Sequence, residues 1–399
     1  MEPSTSGSAS TSQPTRSPLQ PARNTPFVDD LAVNTDRTGA MLNATFDRSA
    51  LLATLPTLDP PHFLAPAIAT AARCTTKHLS IVLYSRHFNS GASAARKRSQ
   101  SVSSRHSRRS QGSVSSISSM DTPTSRVALW DDIQRLLTYV YVAATRVAQE
   151  LDRILLDVDV LLKGLDDELP EGFGKDMQIM FRIQGDSIPA LLPPALASLR
   201  ICWCTNRNPE SQAGTPHAER NVDPDQPSSY PVAALGGTFD HLHAGHKILL
   251  SMGAWVADEK LIVGVTDEVL LKGKKFRHVM EPINVRTSKV EAFLARFKPS
   301  LRCDAVPIAD VYGPTATDPN IQALIVSHET LSGAASIDKL RAERKLPALK
   351  TLVIDVISHD STKLDPAEAE ILKQTKMSST FIREWIAKRL EQQDNDANV

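Results

Sequence analysis

From Tyr230 onward, short apolar runs alternate with stretches whose apolar residues recur at helical spacing. The runs are Val232–Leu235, Leu261–Val265, Ala305–Ile308, Ala323–Val326 and Leu352–Ile357. Each is short and apolar throughout, as suits a strand of a parallel sheet buried on both faces. Helical patterns at about 243–257, 284–298, 332–345 and 379–391 separate or follow them. The alternation predicts an α/β fold, a doubly wound parallel five-stranded sheet with its ligands at the carboxyl ends of the strands. In the first half of the chain, Leu79–Tyr84 reads as a short buried strand. Between Val127 and Leu162, residues Ile133, Leu136, Leu137, Val140, Ala144, Val147, Leu151, Ile154 and Leu155 repeat at helical spacing, bounded by Gly164 and Pro170. That pattern predicts one long amphipathic helix, or two, with a stripe that is core or partner surface rather than a cofactor site.

Elsewhere the periodicity fails. Residues 1–45 mix Ser, Thr, Pro and Ala, a composition that buries too little surface to offset the entropy of ordering. Residues 89–126 are dominated by Ser and Arg, with basic clusters at Arg96-Lys97-Arg98 and Arg108-Arg109 beside hydroxyls. This insert reads as a solvated loop; a phosphorylation-controlled docking segment and a nuclear address are the alternatives. Residues 206–229, rich in Pro, Asn, Ser and Asp, read as a linker. The expected organisation is therefore a disordered tail (1–45), an N-terminal region of no assignable function (46–205), the linker, an α/β domain (230–391) and a polar tail (392–399).

Charge narrows the choice of partners. Lys and Arg together number 45, as do Asp and Glu, so no global field favours nucleic acid or an acidic membrane surface. The four cysteines, Cys74, Cys202, Cys204 and Cys303, lack zinc-site spacing and read as reduced intracellular thiols. No run of about 18 apolar residues occurs and the start has no signal-peptide pattern. A cytoplasmic protein without a membrane span is expected, with nuclear or mitochondrial association left open.

The chemistry concentrates where the first strand of the α/β domain runs into Gly236-Gly237-Thr238-Phe239-Asp240-His241-Leu242-His243-Ala244-Gly245-His246. Two glycines permit a tight turn and close backbone approach, and the helix that follows aims free N–H groups and its positive dipole end at the same place. A phosphate suits such a place. His243 and His246, three residues apart, share a helical face and can both point at that anion. Lys272 and Lys274, in a basic cluster after the second strand, are candidates for neutralising a substrate phosphate. Ser378, Ser379 and Thr380 precede the last helical pattern, where they can cap a helix, hold phosphate, or both.

The string G-T-F-D-x-L-H-x-G-H resembles the HxGH signature of the nucleotidylyltransferase superfamily. Four separated blocks, Leu235–His246, Asp310–Pro319, Val326–Gly333 and Ser378–Arg383, are similar to the eukaryotic, fungal-type pantetheine-phosphate adenylyltransferases. The resemblance spans about 160 residues and leaves the first 225 without a counterpart. It implies transfer of AMP from ATP to 4′-phosphopantetheine, with Mg²⁺ accompanying ATP and no dedicated protein metal site. By resemblance, His243, His246, Thr238, Lys272 and Lys274 carry catalysis. Gly237, Phe239, His246, Glu329, Thr330, Ser378, Ser379, Thr380 and Arg383 lie at ATP, with Arg341 a weaker candidate. Thr238, Lys272 and Lys274 lie at phosphopantetheine.

In many animal members a dephospho-coenzyme A kinase shares the chain. Here the best approach to a P-loop is Gly174-Lys175, with Leu169 and Asp176 where Gly and Ser or Thr are needed. A separate kinase partner, and other coenzyme A-synthesis enzymes docking on the N-terminal region, are the expected associations. The rivals are a cytidylyltransferase, a nicotinamide mononucleotide adenylyltransferase, a class I aminoacyl-tRNA synthetase suggested by Lys376-Met377-Ser378-Ser379, and a non-catalytic scaffold.

Overall fold

A computed structural model describes residues 44–89, 125–205, 226–354 and 378–397. The tail, nearly all of the Ser/Arg insert, most of the linker, residues 355–357 of the expected fifth strand, Lys376 and Met377 lie outside the described residues.

The described residues form two parallel sheets, each with five strands. The first contains β1 (Phe46–Thr54), β2 (Thr75–Tyr84), β3 (Asp157–Lys163), β4 (Ile179–Ile183) and β5 (Ile201–Cys204), in the order β3-β2-β1-β4-β5. The second contains β6 (Tyr230–Gly237), β7 (Ala257–Thr266), β8 (Arg302–Ile308), β9 (Ala323–Ser327) and β10 (Lys350–Ile354), in the order β10-β9-β6-β7-β8. Both follow one path: the first strand sits centrally, the next two extend to one side, and the last two to the other. The reversal in the second sheet falls between β6 and β9, which are paired directly. In doubly wound folds a crevice opens at that point, beyond the carboxyl ends of the strands.

The helices are α1 (Ala65–Cys74), α2 (Trp130–Glu150), α3 (Pro194–Ala197), α4 (Ala244–Val256), α5 (Ile283–Phe297), α6 (Leu331–Glu343) and α7 (Ser379–Ala397). The four helical patterns read after Tyr230 thus correspond to α4, α5, α6 and α7. The first half of the chain departs from expectation. Besides the expected strand, which is part of β2, and the expected long helix, α2, it builds a complete second sheet. The stripe assigned to 127–162 ends at Glu150, Asp152 turns the chain with a φ of 54°, and Asp157–Lys163 becomes β3. Leu151 and Leu155, placed in the helical stripe, are exposed. Arg153 secures the turn, its Nη1 donating to the carbonyls of Arg73 at 2.6 Å and Thr75 at 2.9 Å.

One apolar cluster runs from the first sheet into the second. It joins Leu136, Leu137 and Val140 of α2 to Ile248 and Met252 of α4, all fully buried. Polar links reinforce the junction: Trp255 Nε1 donates to the Arg126 carbonyl at 2.9 Å, and Trp130 Nε1 to that of Val353 at 3.2 Å. All four cysteines are free thiols. Among the described residues no helix is long and apolar enough to cross a membrane.

A shared core predicts shared unfolding. Leu137→Ala should lower stability by about 2–5 kcal/mol and move the fluorescence of Trp130 and Trp255 and the far-ultraviolet circular dichroism in one concerted denaturant transition; separate transitions would mean that the two sheets have independent cores.

Candidate active site

Strand β6 delivers its chain to the crevice at Gly237, whose carbonyl accepts from Thr266 Oγ1 of β7 at 3.0 Å. The chain then folds back sharply. Phe239 and His241 adopt left-handed backbone conformations, φ 51° and 44°. The Phe239 ring returns beneath the turn so closely that a Cβ at Gly237 would lie 3.1 Å from it. A side chain at 237 would force that ring back by a few tenths of an ångström, so glycine suits the close approach.

Two left-handed residues in so short a turn are unfavourable unless the surroundings hold them. Arg286 of α5, 1% exposed, supplies part of that support. Its Nε donates to the Glu281 carbonyl at 3.0 Å, and its Nη1 to those of Thr238 at 2.7 Å and Thr266 at 2.9 Å. Asp240, fully buried, supplies the rest. Its carboxylate accepts from the Glu281 amide at 2.9 Å and from Arg383 Nη1 at 2.7 Å. Its carbonyl accepts from Ser379 Oγ at 2.9 Å. The His241 amide donates to Glu281 Oε2 at 3.0 Å.

His243 then caps α4 in an extended conformation, and its ring stacks on that of His246 with centroids 3.9 Å apart and planes at 24°. The Phe239 ring backs His246 from 5.2 Å. Both imidazoles carry a buried Nδ1 with no protein hydrogen-bond partner. Burial pushes the His243 pKa down to about 4, with Asp240 opposing and His241, Lys247 and Arg383 reinforcing. Burial, and then His243, push His246 well below its ordinary value. Both rings are thus neutral at pH 7. The first intrahelical donor of α4 is the Lys247 amide, bonded to the His243 carbonyl at 3.0 Å. The amides of Ala244, Gly245 and His246 therefore precede the helix ladder and are available to an anion.

Of the residues read from the sequence, Thr238, His243 and His246 lie together on this turn and helix start. Lys272 and Lys274 are exposed in the loop after β7, and Glu329 is exposed beyond the end of β9. Five candidates have other work in the structure. Phe239 is fully buried and supports Gly237 and His246 from the core side. Arg383 is 2% exposed and pairs with Asp240, while its Nε donates to the Lys275 carbonyl at 2.9 Å, joining α7 to both the turn and the lysine loop. Arg341, 1% exposed, donates to the carbonyls of Pro347, Thr315 and Asp318 at 2.6–2.9 Å and braces the Tyr312-Gly313-Pro314 turn. Thr330 Oγ1 closes a capping box with Ser327. Ser378 Oγ accepts from the Phe381 amide at 3.2 Å, as a helix cap does.

The Tyr-Gly-Pro block also has a structural cause. Asp310 Oδ1 accepts from the amides of Tyr312 and Gly313, each at 2.8 Å. Gly313 has φ 48°, and a Cβ there would meet Ile308 at 2.7 Å. A separate groove of about 420 Å³, lined by Pro231, Glu259, Lys260, Arg302 and Gln322, lies at the opposite ends of the strands and takes no part in the site.

Sequence reading missed Asp240, Glu281, Arg286 and Lys247. For Asp240 and Lys247 the signal was available, since a charged residue set among apolar or chemically assigned neighbours must find buried partners; Glu281 and Arg286 have no such setting.

Residues 234–385 match the family model described as cytidylyltransferase-like. Strand order, turn and histidine pair accordingly define a nucleotidylyltransferase-type α/β domain. Phosphopantetheine adenylyltransferase of Methanopyrus kandleri is 38% identical over 133 residues, which cover 33% of this chain and 82% of that protein. The Saccharomyces cerevisiae protein of the same name is 40% identical over 162 residues, 39% of this chain and 53% of that one. An uncharacterized Schizosaccharomyces pombe protein is 42% identical over 176 residues, 43% of this chain and 54% of that one. The chain belongs to the phosphopantetheine adenylyltransferase family. It spans about half the length of the two fungal relatives.

Two outcomes are expected. Asp240→Ala leaves Arg383 as an unpaired buried cation and should cost about 3–5 kcal/mol, read as a fall in the denaturant midpoint. Because His243 titrates near 4 in the folded protein and near 6.5 when unfolded, the unfolded state binds more protons between those values. Stability should therefore be full above about pH 6.5 and decline as pH falls towards 4, with His243→Gln flattening the decline in denaturation curves measured across that window.

Proposed function

We propose that this chain is a pantetheine-phosphate adenylyltransferase, transferring AMP from ATP to 4′-phosphopantetheine and yielding dephospho-coenzyme A and pyrophosphate. The observation that carries the reading is the stacked His243–His246 pair with its unpartnered nitrogens, set beside a helix start with free amides. The shared identity with relatives bearing this name supports the choice of substrates.

In the proposed step an oxygen of the phosphopantetheine phosphate attacks the α-phosphorus of ATP. The bond from that phosphorus to the bridging oxygen breaks, and pyrophosphate leaves with the electron pair. The nucleophile is already anionic, so no general base is required, and catalysis rests on positioning and charge stabilisation. Neutral imidazoles suit this: each donates an N–H to charge building on the transferred phosphoryl group without giving up a proton. Thr238, together with Lys272 or Lys274, orients the incoming phosphate. The start of α7 at Ser378–Thr380 faces the departing pyrophosphate, with Ser379 keyed to the same turn through Asp240.

Magnesium enters this scheme as the counter-ion of ATP. The Asp240 carboxylate is committed to Arg383 and the Glu281 amide, and among the described residues no group of three or more His, Cys, Asp or Glu is placed to hold a metal ion.

The test is pyrophosphate release from the purified full chain. Turnover should require both ATP and 4′-phosphopantetheine, fail with CTP or nicotinamide mononucleotide, and fall at least about 10²-fold in a His243→Ala, His246→Ala double variant. Lys272→Ala or Lys274→Ala should raise KM for phosphopantetheine about tenfold, the loss expected for a hydrogen bond to a charged group. Turnover that persists in the double histidine variant, or that prefers another acceptor, would overturn the reading.

A further inference from the structure

Lys247 follows His246 directly, yet its side chain leaves the catalytic crevice and enters the first sheet. It is 2% exposed, and its Nζ meets the carboxylates of both Asp157 and Asp159, the latter at 2.6 Å, and the Val158 carbonyl at 2.8 Å. The Phe293 ring of α5 lies 5.6 Å from the ammonium. Asp159 is fully buried, and its second oxygen accepts from Arg296 Nε of α5 at 2.8 Å. Asp157, at the rim, lies 2.9 Å from His78 Nδ1, and His78 Nε2 lies 2.9 Å from Ser80 Oγ. Two carboxylates thus face two permanent cations, and the groups come from β2 and β3 of one sheet and from α4 and α5 of the other.

Apolar contact is non-directional and tolerates sliding of a helix over a sheet. A buried charge cluster does not, because any shift leaves a desolvated ion without its partner. Lys247 is also tied to both histidines: it is peptide-bonded to His246, and its amide closes the first helical turn on the His243 carbonyl. We propose that Asp157 and Asp159 of β3 are positioning residues for the adenylyl-transfer site, fixing α4, and with it the histidine pair, through the buried ammonium of Lys247. The first half of the chain is on this account part of the catalytic apparatus. The inference rests on the proposed function for its kinetic meaning and on geometry alone for the coupling.

The experiment uses the full chain with Asp159→Asn, Lys247→Met, the double variant and Asp157→Asn, and with Asp47→Asn, which removes the exposed Lys77 partner elsewhere in the first sheet, as control. Asp159→Asn and Lys247→Met should each lower kcat about tenfold or more while KM for both substrates stays within about threefold, since misplacing catalytic groups acts mainly on the transition state. The double variant should be no worse than the poorer single one, the non-additivity of a shared interaction. Lys247→Met should also raise the acid limb of the kcat profile, because the ammonium is one of the charges depressing the His243 pKa. Full kcat per folded molecule with only a lower Tm would reduce the cluster to a structural role and overturn the proposal. Should Lys247→Met fail to fold, Asp157→Asn, at the rim and with an acceptor oxygen retained, decides by the same split of kcat from KM. Histidine ring resonances of the ligand-free protein give an independent readout: His243 and His246 should shift in Asp159→Asn and not in Asp47→Asn. A wild type that releases no pyrophosphate would defeat the proposed function and leave this spectroscopic arm to decide the coupling.

Discussion

The buried pair between Asp240 and Arg383 is the constraint on which the site is assembled. Asp240 sits in the middle of a turn with two left-handed residues, and Arg383 sits on the last helix of the chain. A desolvated carboxylate has few alternatives to a strong donor. The pair therefore draws α7 onto the turn, brings Ser378–Thr380 alongside it, and holds the lysine loop through the Lys275 carbonyl. Three segments far apart in sequence come together because a single carboxylate must be satisfied. Arg286 does comparable work from the other side, gathering the carbonyls at the ends of β6 and β7.

The electrostatic character of the site follows from this arrangement. Burial is the main force against positive charge on both histidines, and at His243 the cations of Lys247 and Arg383, committed to internal acceptors, reinforce it, so the free rings are neutral N–H donors held in register by stacking. Dipoles and amides in such a region are already oriented towards an anion, which is the condition under which electrostatic stabilisation needs little reorganisation.

How much of this could be read beforehand depended on how each segment resolves its polar groups. The central strands after Tyr230 carry continuous apolar runs, Val232–Leu235, Leu261–Val265 and Ala323–Val326, because both faces are covered there, and that uniformity made them legible. So did the Gly-Gly turn and the histidine spacing, whose chemistry is local. Strand β3 was hidden for the opposite reason. Asp157 and Asp159 give it a polar face, and the partner that neutralises them, Lys247, is about ninety residues away. Strands β4 and β5 are short, at five and four residues, and β1 is built largely of helix-compatible residues such as Ala50, Leu51, Leu52 and Ala53, so their identity is set by pairing rather than by pattern. Arg341 and Arg383 looked like nucleotide ligands because both carry cations near family blocks; only the fold reveals carbonyls and a carboxylate waiting for them. Thr330 and Phe239 likewise serve a capping box and a buried ring.

The continuity of the core across the two sheets separates two notions of a domain that are often merged. Similarity to relatives outlines residues 234–385 as a unit. Physically that outline is a cut surface: along it α4 would present Ile248 and Met252 to water, and Lys247 would lose both of its carboxylates. The stretch by which the chain is recognised is thus smaller than the stretch that shares one core. Anyone excising it for expression, fusion or transplantation should draw the boundary ahead of β1, near Phe46, rather than ahead of β6.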